Sequence, residues 1–301
     1  MTRHAPVPIG CWIAYCALSA VAWTCCLPCT LVLCWPKSDR NTKGPDEEVQ
    51  ILPLRQRSLT LPLGQPDSSQ IITSDQSQSS LVAKLPLELR EEIYRHALGG
   101  LQIHILICGY KRLKLCGYRC GLSRCRHDVF DPRALHDLNL STAVLRTCRL
   151  IYSEAIKLLY SANNFAVTSY GQKYFPLPYL PKILLPQRLR SIRDLSISWD
   201  ATPHFNLSEN GDAGSQQWYD SWHALSQMTG LRNLFIHIGL DYFKYSPSVY
   251  VLNIWTEREA QMFEPVKAVQ APESFVIVLP DRRCSTDLDV GTTKCIFRVP
   301  D

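Results

Sequence analysis

The 301-residue sequence predicts an α+β domain that contains a small mixed or parallel sheet and is preceded by one transmembrane helix. Three observations predict this fold class. An uncharged apolar run covers residues 9–35, and a polar stretch follows it up to residue 80. Residues 81–301 then alternate between helix-like and strand-like patterns, and a segment of this length can bury one sizeable core.

The apolar run at residues 9–35 is long enough to cross a membrane. About 20 apolar residues span a hydrocarbon core roughly 30 Å thick, so we expect one retained span. A cleaved signal peptide is the first alternative, although its apolar region is usually shorter, and a wrongly assigned first exon is the second. Lys37, Arg40 and Lys43 follow the run whereas Arg3 precedes it. This bias predicts a single-pass membrane protein with a cytosolic C-terminal domain.

The polar stretch at residues 36–80 is rich in Pro, Ser, Gln and Asp and has no sustained apolar period. Such a composition cannot bury enough apolar surface to fold, so it predicts a disordered linker. The predicted organisation is therefore an N-terminal tail at 1–8, a transmembrane segment at 9–35, a linker at 36–80 and one folded domain at 81–301.

The folded domain is predicted to open with a helix at Leu87–Leu98. Pro86 stands where a helix start tolerates a proline, and Gly99 and Gly100 follow where helices commonly end. The helical period then places one apolar stripe on the helix and charged residues on the opposite face. The stripe comprises Leu89, Ile93, Ala97 and Leu98, and the charged face comprises Glu88, Arg90, Glu91, Glu92 and Arg95.

The elements that follow are predicted in order from their periods. Residues 101–107 alternate on a two-residue period with β-branched side chains, which predicts a strand. Apolar residues at helical spacing predict a long helix at 138–160, and a strand-like run follows at 165–168.

The C-terminal part is predicted to consist of strand-helix-strand units, which favour parallel pairing with crossovers of one hand. The segments 190–197 and 229–236 resemble leucine-rich repeat strands, which would supply a recognition face. A small α/β sheet that completes the core is favoured over a true solenoid, because only three units are visible. The predicted strands are 192–198, 231–238 and 273–279, and the predicted helices are 216–228 and 256–270.

Two motifs together resemble a known family. The opening Leu85-Pro86-x-Glu88-Leu89 resembles the first helix of an F-box, which docks onto the adaptor subunit of a cullin-type ubiquitin ligase. The second motif runs from Leu145 to Ala155 and reads Leu-Arg-Thr-Cys-Arg-x-Ile-Tyr-Ser-Glu-Ala. In this order the motifs are similar to a large fungal family of F-box-like domains of unknown function. The resemblance implies an F-box-like helical start and an α+β body, but no established activity.

Two functions are predicted from these motifs. In the first, the chain is a membrane-tethered F-box-like adaptor in which Leu85, Pro86, Leu89 and Ile93 bind the ligase adaptor and the C-terminal part recruits a client. In the second, the helix packs internally and the domain is a membrane-anchored scaffold without a ligase link. The two hypotheses differ in whether the stripe is exposed or is covered by the helix predicted at 138–160.

A zinc site is predicted as an alternative role for Cys116, Cys120, Cys125 and His127. Their spacing, Cys-x3-Cys-x4-Cys-x-His, can supply the four soft ligands that zinc needs at about 2.0 to 2.3 Å. The chain would then be a small zinc-binding structural protein. The competing prediction is a hairpin of strands 111–115 and 122–125 with reduced, partly buried cysteines.

The remaining observations narrow the class of partner. The 32 basic and 27 acidic residues are spread along the chain, so nucleic acid is not expected. No nucleophile elbow, phosphate loop, dinucleotide fingerprint or zinc-protease motif is present, so the sequence predicts neither an enzyme nor a cofactor nor a small-molecule substrate.

Tyr242, Phe243 and Tyr245 follow a predicted strand and are candidates for contact with a protein partner. Trp199 is predicted to lie in the core.

Overall fold

The computed structural model describes one folded domain. The described residues are 50–51, 76–108, 112–120, 135–137, 142–169, 174–200, 213–240 and 249–300. Within these segments, no helix combines the length and the apolar character that a membrane span requires. The longest described helix, Val249–Phe263, has 15 residues, fewer than the roughly 20 that are needed. The predicted fold class is therefore corrected: the described residues form an α+β domain and include no transmembrane helix. The predicted single-pass membrane localisation is not supported, and residues 9–35 lie outside the described part.

The described helices include the predicted opening helix with the bounds that the sequence predicts. The helices are α1 (Ser80–Lys84), α2 (Leu87–Leu98), α3 (Arg149–Ser161), α4 (Leu180–Ile183), α5 (Pro186–Leu189), α6 (Ala213–Ser226) and α7 (Val249–Phe263). Short 3-10 helices lie at Val144–Arg146, Leu177–Tyr179 and Glu264–Ala268.

Nine strands form one sheet among the described residues. They are β1 (Gln50–Ile51), β2 (Gln102–Cys108), β3 (Arg112–Cys120), β4 (Leu135–Asp137), β5 (Asn164–Thr168), β6 (Asp194–Asp200), β7 (Asn233–Gly239), β8 (Ser274–Val278) and β9 (Cys295–Arg298). The spatial order is β1-β3-β2-β5-β6-β7-β8-β9, and β4 pairs with β3. Pairing is parallel from β2 through β5 to β9, whereas β3 is antiparallel to β2 and to β4. The prediction of a mixed sheet with strand-helix-strand units is confirmed.

One face of the sheet carries the core. Because β5 to β9 are neighbours in chain order, every crossover steps in the same direction, and crossovers of one hand then place their helices on one face. The residues of two successive register rows on that face are buried. The first row is Ile103, Phe165, Leu195, Leu234 and Phe275, and the second is Ile105, Val167, Ile197, Ile236 and Ile277.

Aromatic side chains fill the space between this face and helices α6 and α7. Trp199, at the end of β6, is fully buried, as predicted. Its ring centroid lies 4.2 Å from that of Trp218 on α6 and 5.1 Å from that of Phe175. The Trp218 indole N–H donates to the Met262 carbonyl at 2.9 Å, so the buried polar atom of this ring is satisfied.

A buried asparagine joins the two helices to the sheet. The Nδ2 group of Asn163 donates to the Leu98 carbonyl at 2.6 Å and to the Leu159 carbonyl at 2.8 Å. Its Oδ1 accepts from the Leu101 amide at 2.9 Å. One side chain therefore caps the last turns of α2 and α3 and fixes the chain where it enters β2.

We expect the substitution Asn163→Ala to lower the free energy of unfolding by about 2 kcal/mol, because buried carbonyls and an amide lose their partner. Urea unfolding followed by circular dichroism measures this loss. The neighbouring Asn164, which is exposed on β5, supplies the control, and Asn164→Ala should change the free energy by less than about 0.5 kcal/mol. Equal losses in the two variants would contradict the assigned role of Asn163.

Three predicted elements are corrected. The helix predicted at 138–160 is broken, because Cys148 is extended at φ −152° and ψ 169° and α3 begins only at Arg149. The helix predicted at 256–270 is α7, which ends at Phe263 and is followed by a 3-10 helix that begins at Glu264 and has Pro265 in its first turn. The strand predicted at 111–115 is part of the longer strand β3, which pairs with β2, and its predicted hairpin partner at 122–125 lies outside the described residues.

Candidate functional site

Helices α2 and α3 pack against each other as a pair. Tyr94 and Leu98 of α2 are buried with Ile151 and Ala155 of α3, and they form a small core separate from that of the sheet. Ala97 is half-buried beside them. The face of α2 that the chain itself covers is therefore centred on Tyr94 and Leu98.

A charged cluster lies at the same contact. The Arg90 guanidinium donates to the two Glu154 carboxylate oxygens, Nε at 3.0 Å and Nη2 at 2.7 Å, and its Nη1 donates to the Leu85 carbonyl at 2.7 Å. The Tyr94 hydroxyl donates to the same carboxylate at 3.0 Å. We call Arg90, Tyr94 and Glu154 the polar triad; Tyr94 is buried, whereas the side chains of Arg90 and Glu154 are 11% and 12% exposed.

The surroundings of the triad raise the pKa of two of its groups. Burial, followed by the hydrogen bond to Glu154, raises the pKa of Tyr94 to about 12. The hydrogen bond to Glu154 raises the pKa of Arg90 above its usual value. At neutral pH the triad therefore consists of a cation, an anion and a neutral phenol that stabilise one another.

The apolar stripe predicted on α2 is divided, because Leu98 is buried against α3 whereas Leu89 and Ile93, which we call the exposed stripe, are accessible. Leu89 is 54% exposed and Ile93 is 43% exposed, although both are large hydrophobic residues. Pro86 is also exposed, whereas Leu85 is half-buried and its carbonyl is held by Arg90. Of the predicted partner-binding residues, Pro86, Leu89 and Ile93 thus lie together on an accessible surface.

The rim of this stripe is polar. Glu92 forms an ion pair within α2 with Arg95 three residues on, and its carboxylate lies 3.2 Å from Nε2 of His96 four residues on. Such pairs support an exposed helix but add little stability. An exposed apolar stripe with a charged rim is the pattern of a helix that docks into a groove.

The second accessible apolar surface is the sheet face opposite the core. On β7, β8 and β9 this face carries Phe235, Val276 and Ile296 in one register row. Phe235 is 40% exposed and Ile296 is 54% exposed. Towards β5 and β6 the same face is buried, as Ala166 and Ser198 show. The exposed part of the face is therefore limited to the β7–β9 side.

The predicted zinc ligands are not brought together where the structure describes them. Cys116 and Cys120 lie four residues apart on the extended strand β3, a separation of about 13 Å between their Cα atoms, which is too long for two ligands of one zinc ion. Across residues 76–120, 135–200 and 213–300, as far as they are described, no group of three or more metal-ligating side chains could hold a metal. Cys125 and His127 lie outside the described residues, as do Tyr242, Phe243 and Tyr245.

The cysteines near the C-terminus are poorly suited to nucleophilic chemistry. Burial raises the pKa of Cys284 to about 11 and that of Cys295 to about 12. Burial also raises the pKa of the nearby Glu259, whose carboxylate accepts from the Ser285 amide at 3.3 Å. A reactive cysteine needs a lowered pKa, so the thiolate population of these two residues is small at neutral pH.

The fold and these surfaces define an α+β protein with a mostly parallel sheet that is covered by helices on one face, and with accessible apolar surface on α2 and at β7–β9. The chain belongs to the family described as Domain of unknown function (DUF7730), whose family model matches residues 74–300. No curated protein and no solved structure shows significant similarity to it. The prediction of a family of unknown function is thus confirmed, whereas the F-box likeness and the fungal grouping are not confirmed by this match.

Proposed function

We propose that this protein is a non-enzymatic interaction module whose helix α2 docks a protein partner, and that this partner is the adaptor subunit of a cullin-type ubiquitin ligase. One observation carries the proposal. Helix α2 turns Arg90 inward and leaves Leu89 and Ile93 on its outer face. The more usual arrangement buries the apolar side chains and leaves the arginine in water.

The energetics favour docking of the exposed stripe. Full burial of a Leu or Ile side chain contributes about 1.5 to 3 kcal/mol, and two such residues at i and i+4 are the usual anchors of a helix in a groove. Leu89 and Ile93 have this spacing, and Pro86 extends the surface by one turn towards the helix start. Burial of these side chains in a groove of the partner would therefore contribute to affinity although the buried surface area is small.

The polar triad supports the proposal because it holds α2 in one orientation. Arg90 binds Glu154 on α3 and also the Leu85 carbonyl just before α2, so both the helix and the chain entering it are fixed. A pre-organised helix loses less entropy on binding than a mobile one.

The choice of a ligase adaptor as partner comes from the motif resemblance. In the sequence, Leu85-Pro86-x-Glu88-Leu89 resembles the start of an F-box helix, and Pro86 and Leu89 of this motif are exposed. The alternative is a scaffold without a ligase link, which would use the same stripe for a different protein. A binding experiment with the purified adaptor separates the two.

We expect the double substitution Leu89→Ala, Ile93→Ala to weaken binding of the full-length chain to the purified adaptor by at least about tenfold, as loss of two central anchors does. Isothermal titration calorimetry measures the affinity. Circular dichroism should show an unchanged fold, because both residues are exposed. Tyr219→Ala serves as the matched control, since Tyr219 is an exposed large side chain on a different helix.

The outcomes are distinct. Loss of binding in the stripe variant and unchanged binding in the Tyr219 control would support the adaptor assignment. No binding by the folded wild-type chain would remove the ligase hypothesis. Equal affinity of the wild type and the stripe variant would show that the adaptor binds elsewhere.

A further inference from the structure

Strand β9 combines an exposed apolar side chain with two flanking cations. Ile296 is 54% exposed and continues the row that begins with Phe235 and Val276 on the preceding strands. Lys294 directly precedes β9 and Arg298 ends it, two residues to either side of Ile296, and both are exposed. Alternate side chains of a strand share a face, so the three lie in line.

Neither of these two cations forms an ion pair with another residue of the described domain. Its described ion pairs join Arg90 to Glu154, residues within α2, Lys267 to Glu264 and Asp289, and Arg283 to Asp281. Neither Lys294 nor Arg298 belongs to them. The apolar row at β9 is thus bordered by positive charge for which the described residues offer no counter-charge.

The backbone of β9 is arranged to accept another strand. Among the described strands, β9 pairs with β8 alone and ends the sheet. The Leu279 amide donates to the Arg298 carbonyl at 2.7 Å, so the backbone groups of Arg298 point towards β8. Because these groups alternate along a strand, the amide and carbonyl of Phe297 point away from β8, towards the free edge.

A second copy of the chain fits this edge poorly. If two β9 strands paired about a two-fold axis with Ile296 opposite Ile296, Lys294 of each copy would face Arg298 of the other. Like charges directly opposite each other on paired strands are destabilising. Charge on an edge strand is a common means of preventing such self-association. The charge pattern therefore selects a different and acidic occupant.

We propose that β9 is a peptide-binding edge that accepts an extended acidic segment of a partner protein as an added strand. The segment has an apolar residue at its centre and an Asp or Glu two residues to either side. The apolar residue packs beside Ile296, which separates it from Val276 of β8, and the two acids face Lys294 and Arg298. This pattern is symmetric, so it suits either strand direction. The inference goes beyond the function proposed for α2, because it uses none of the residues of that helix.

The test uses two fluorescent peptides and the full-length chain. The acidic probe is Gly-Thr-Asp-Thr-Val-Thr-Glu-Thr-Gly, and its basic twin has Lys at both acidic positions. Fluorescence anisotropy should show binding of the acidic probe at least about tenfold tighter than that of its twin. In the variant Lys294→Glu, Arg298→Glu this preference should reverse, so that the basic twin binds more tightly.

The control variant Arg149→Glu, Lys157→Glu makes the same charge change on α3, where both residues are exposed, and should keep the wild-type preference. Hydrogen exchange adds a second readout, because strand addition should slow exchange of the Phe297 amide. Absence of acidic-probe binding, equal binding of the two peptides, or a preference unchanged by the β9 substitutions would overturn the proposal. The proposal would also be overturned if the free chain formed a dimer that the substitution Ile296→Glu dissociated. None of these results depends on α2, so failure here leaves the adaptor hypothesis standing.

Discussion

Replacing Trp199 with alanine is expected to lower the free energy of unfolding by about 3 to 5 kcal/mol, the usual cost of removing a large buried aromatic side chain. Trp199 is fully buried and its ring lies within 6 Å, centroid to centroid, of Phe175, Trp218 and Trp222. Neighbouring rings of this size are rigid and cannot collapse into the cavity. Urea denaturation of the full-length chain, followed by tryptophan fluorescence and circular dichroism, measures the loss.

Two further variants make this prediction specific. Trp199→Phe keeps most of the apolar contact and should cost less than half as much as the alanine variant. Tyr219→Ala removes an exposed ring from α6 and should cost less than about 1 kcal/mol. If Trp199→Ala were as mild as Tyr219→Ala, the aromatic cluster would not hold α6 against the sheet.

The parallel sheet could be predicted from sequence because its strands carry a regular local signal. In β6 apolar residues alternate with polar ones, β7 departs from this pattern at Phe235 alone, and the buried positions Ile197 and Ile236 fall in register as the pattern requires. Such patterns depend on burial of one face and need no knowledge of distant residues. Strands that follow one another in the chain and are joined by single crossovers usually lie side by side, as β5 to β9 do.

Other elements could not be predicted because their signals are weak or non-local. Strand β9 has four residues, too few for a clear period, and it is recognised only by its pairing with β8. The break before α3 arises where Cys148 adopts an extended backbone, although the apolar spacing continues through it. Local periodicity cannot show such an interruption.

For the candidate site on α2, too, one part could be predicted from the sequence and another part could not. The helix bounds and the stripe of Leu89 and Ile93 follow from the sequence, but the face that the domain covers does not. The sequence assigns Arg90 to the solvent side, whereas the structure turns it inward against Glu154, 64 residues further along the chain, where its side chain is half-buried. An isolated arginine would not be buried, so the position of its partner decides the orientation of the helix.

We expect removal of Glu154 to destabilise the α2–α3 pair more than removal of any other polar group in the triad. Glu154 accepts from Arg90 at two oxygens and from Tyr94, so Glu154→Ala leaves a half-buried cation and a buried phenol without this acceptor. The expected loss is about twice that of Tyr94→Phe, which removes one hydrogen bond to a charged group at a cost of about 2 kcal/mol. Thermal and urea unfolding measure both.

The pKa of Tyr94 makes alkaline pH a second probe of the triad. Burial and the hydrogen bond to Glu154 raise this pKa to about 12 from its usual value near 10. The folded state therefore favours the protonated phenol, and this contribution is complete below about pH 10 and is lost as the pH rises towards 12. Tyr94→Phe should flatten the alkaline loss of stability relative to the wild type. An unchanged slope would mean that the phenol is not protected as described.

A double-mutant cycle separates coupling within the triad from simple loss of packing. If Arg90 and Glu154 act as one unit, Arg90→Met in the background of Glu154→Leu should cost less than Arg90→Met alone, because the partner that it would strand is already gone.

The same variants connect stability to binding. With the triad removed, Leu89 and Ile93 are intact but α2 is no longer held in one orientation, so adaptor affinity should fall although no residue of the stripe has changed. Additive losses of stability, with adaptor binding unchanged, would show instead that α2 keeps its orientation without the triad.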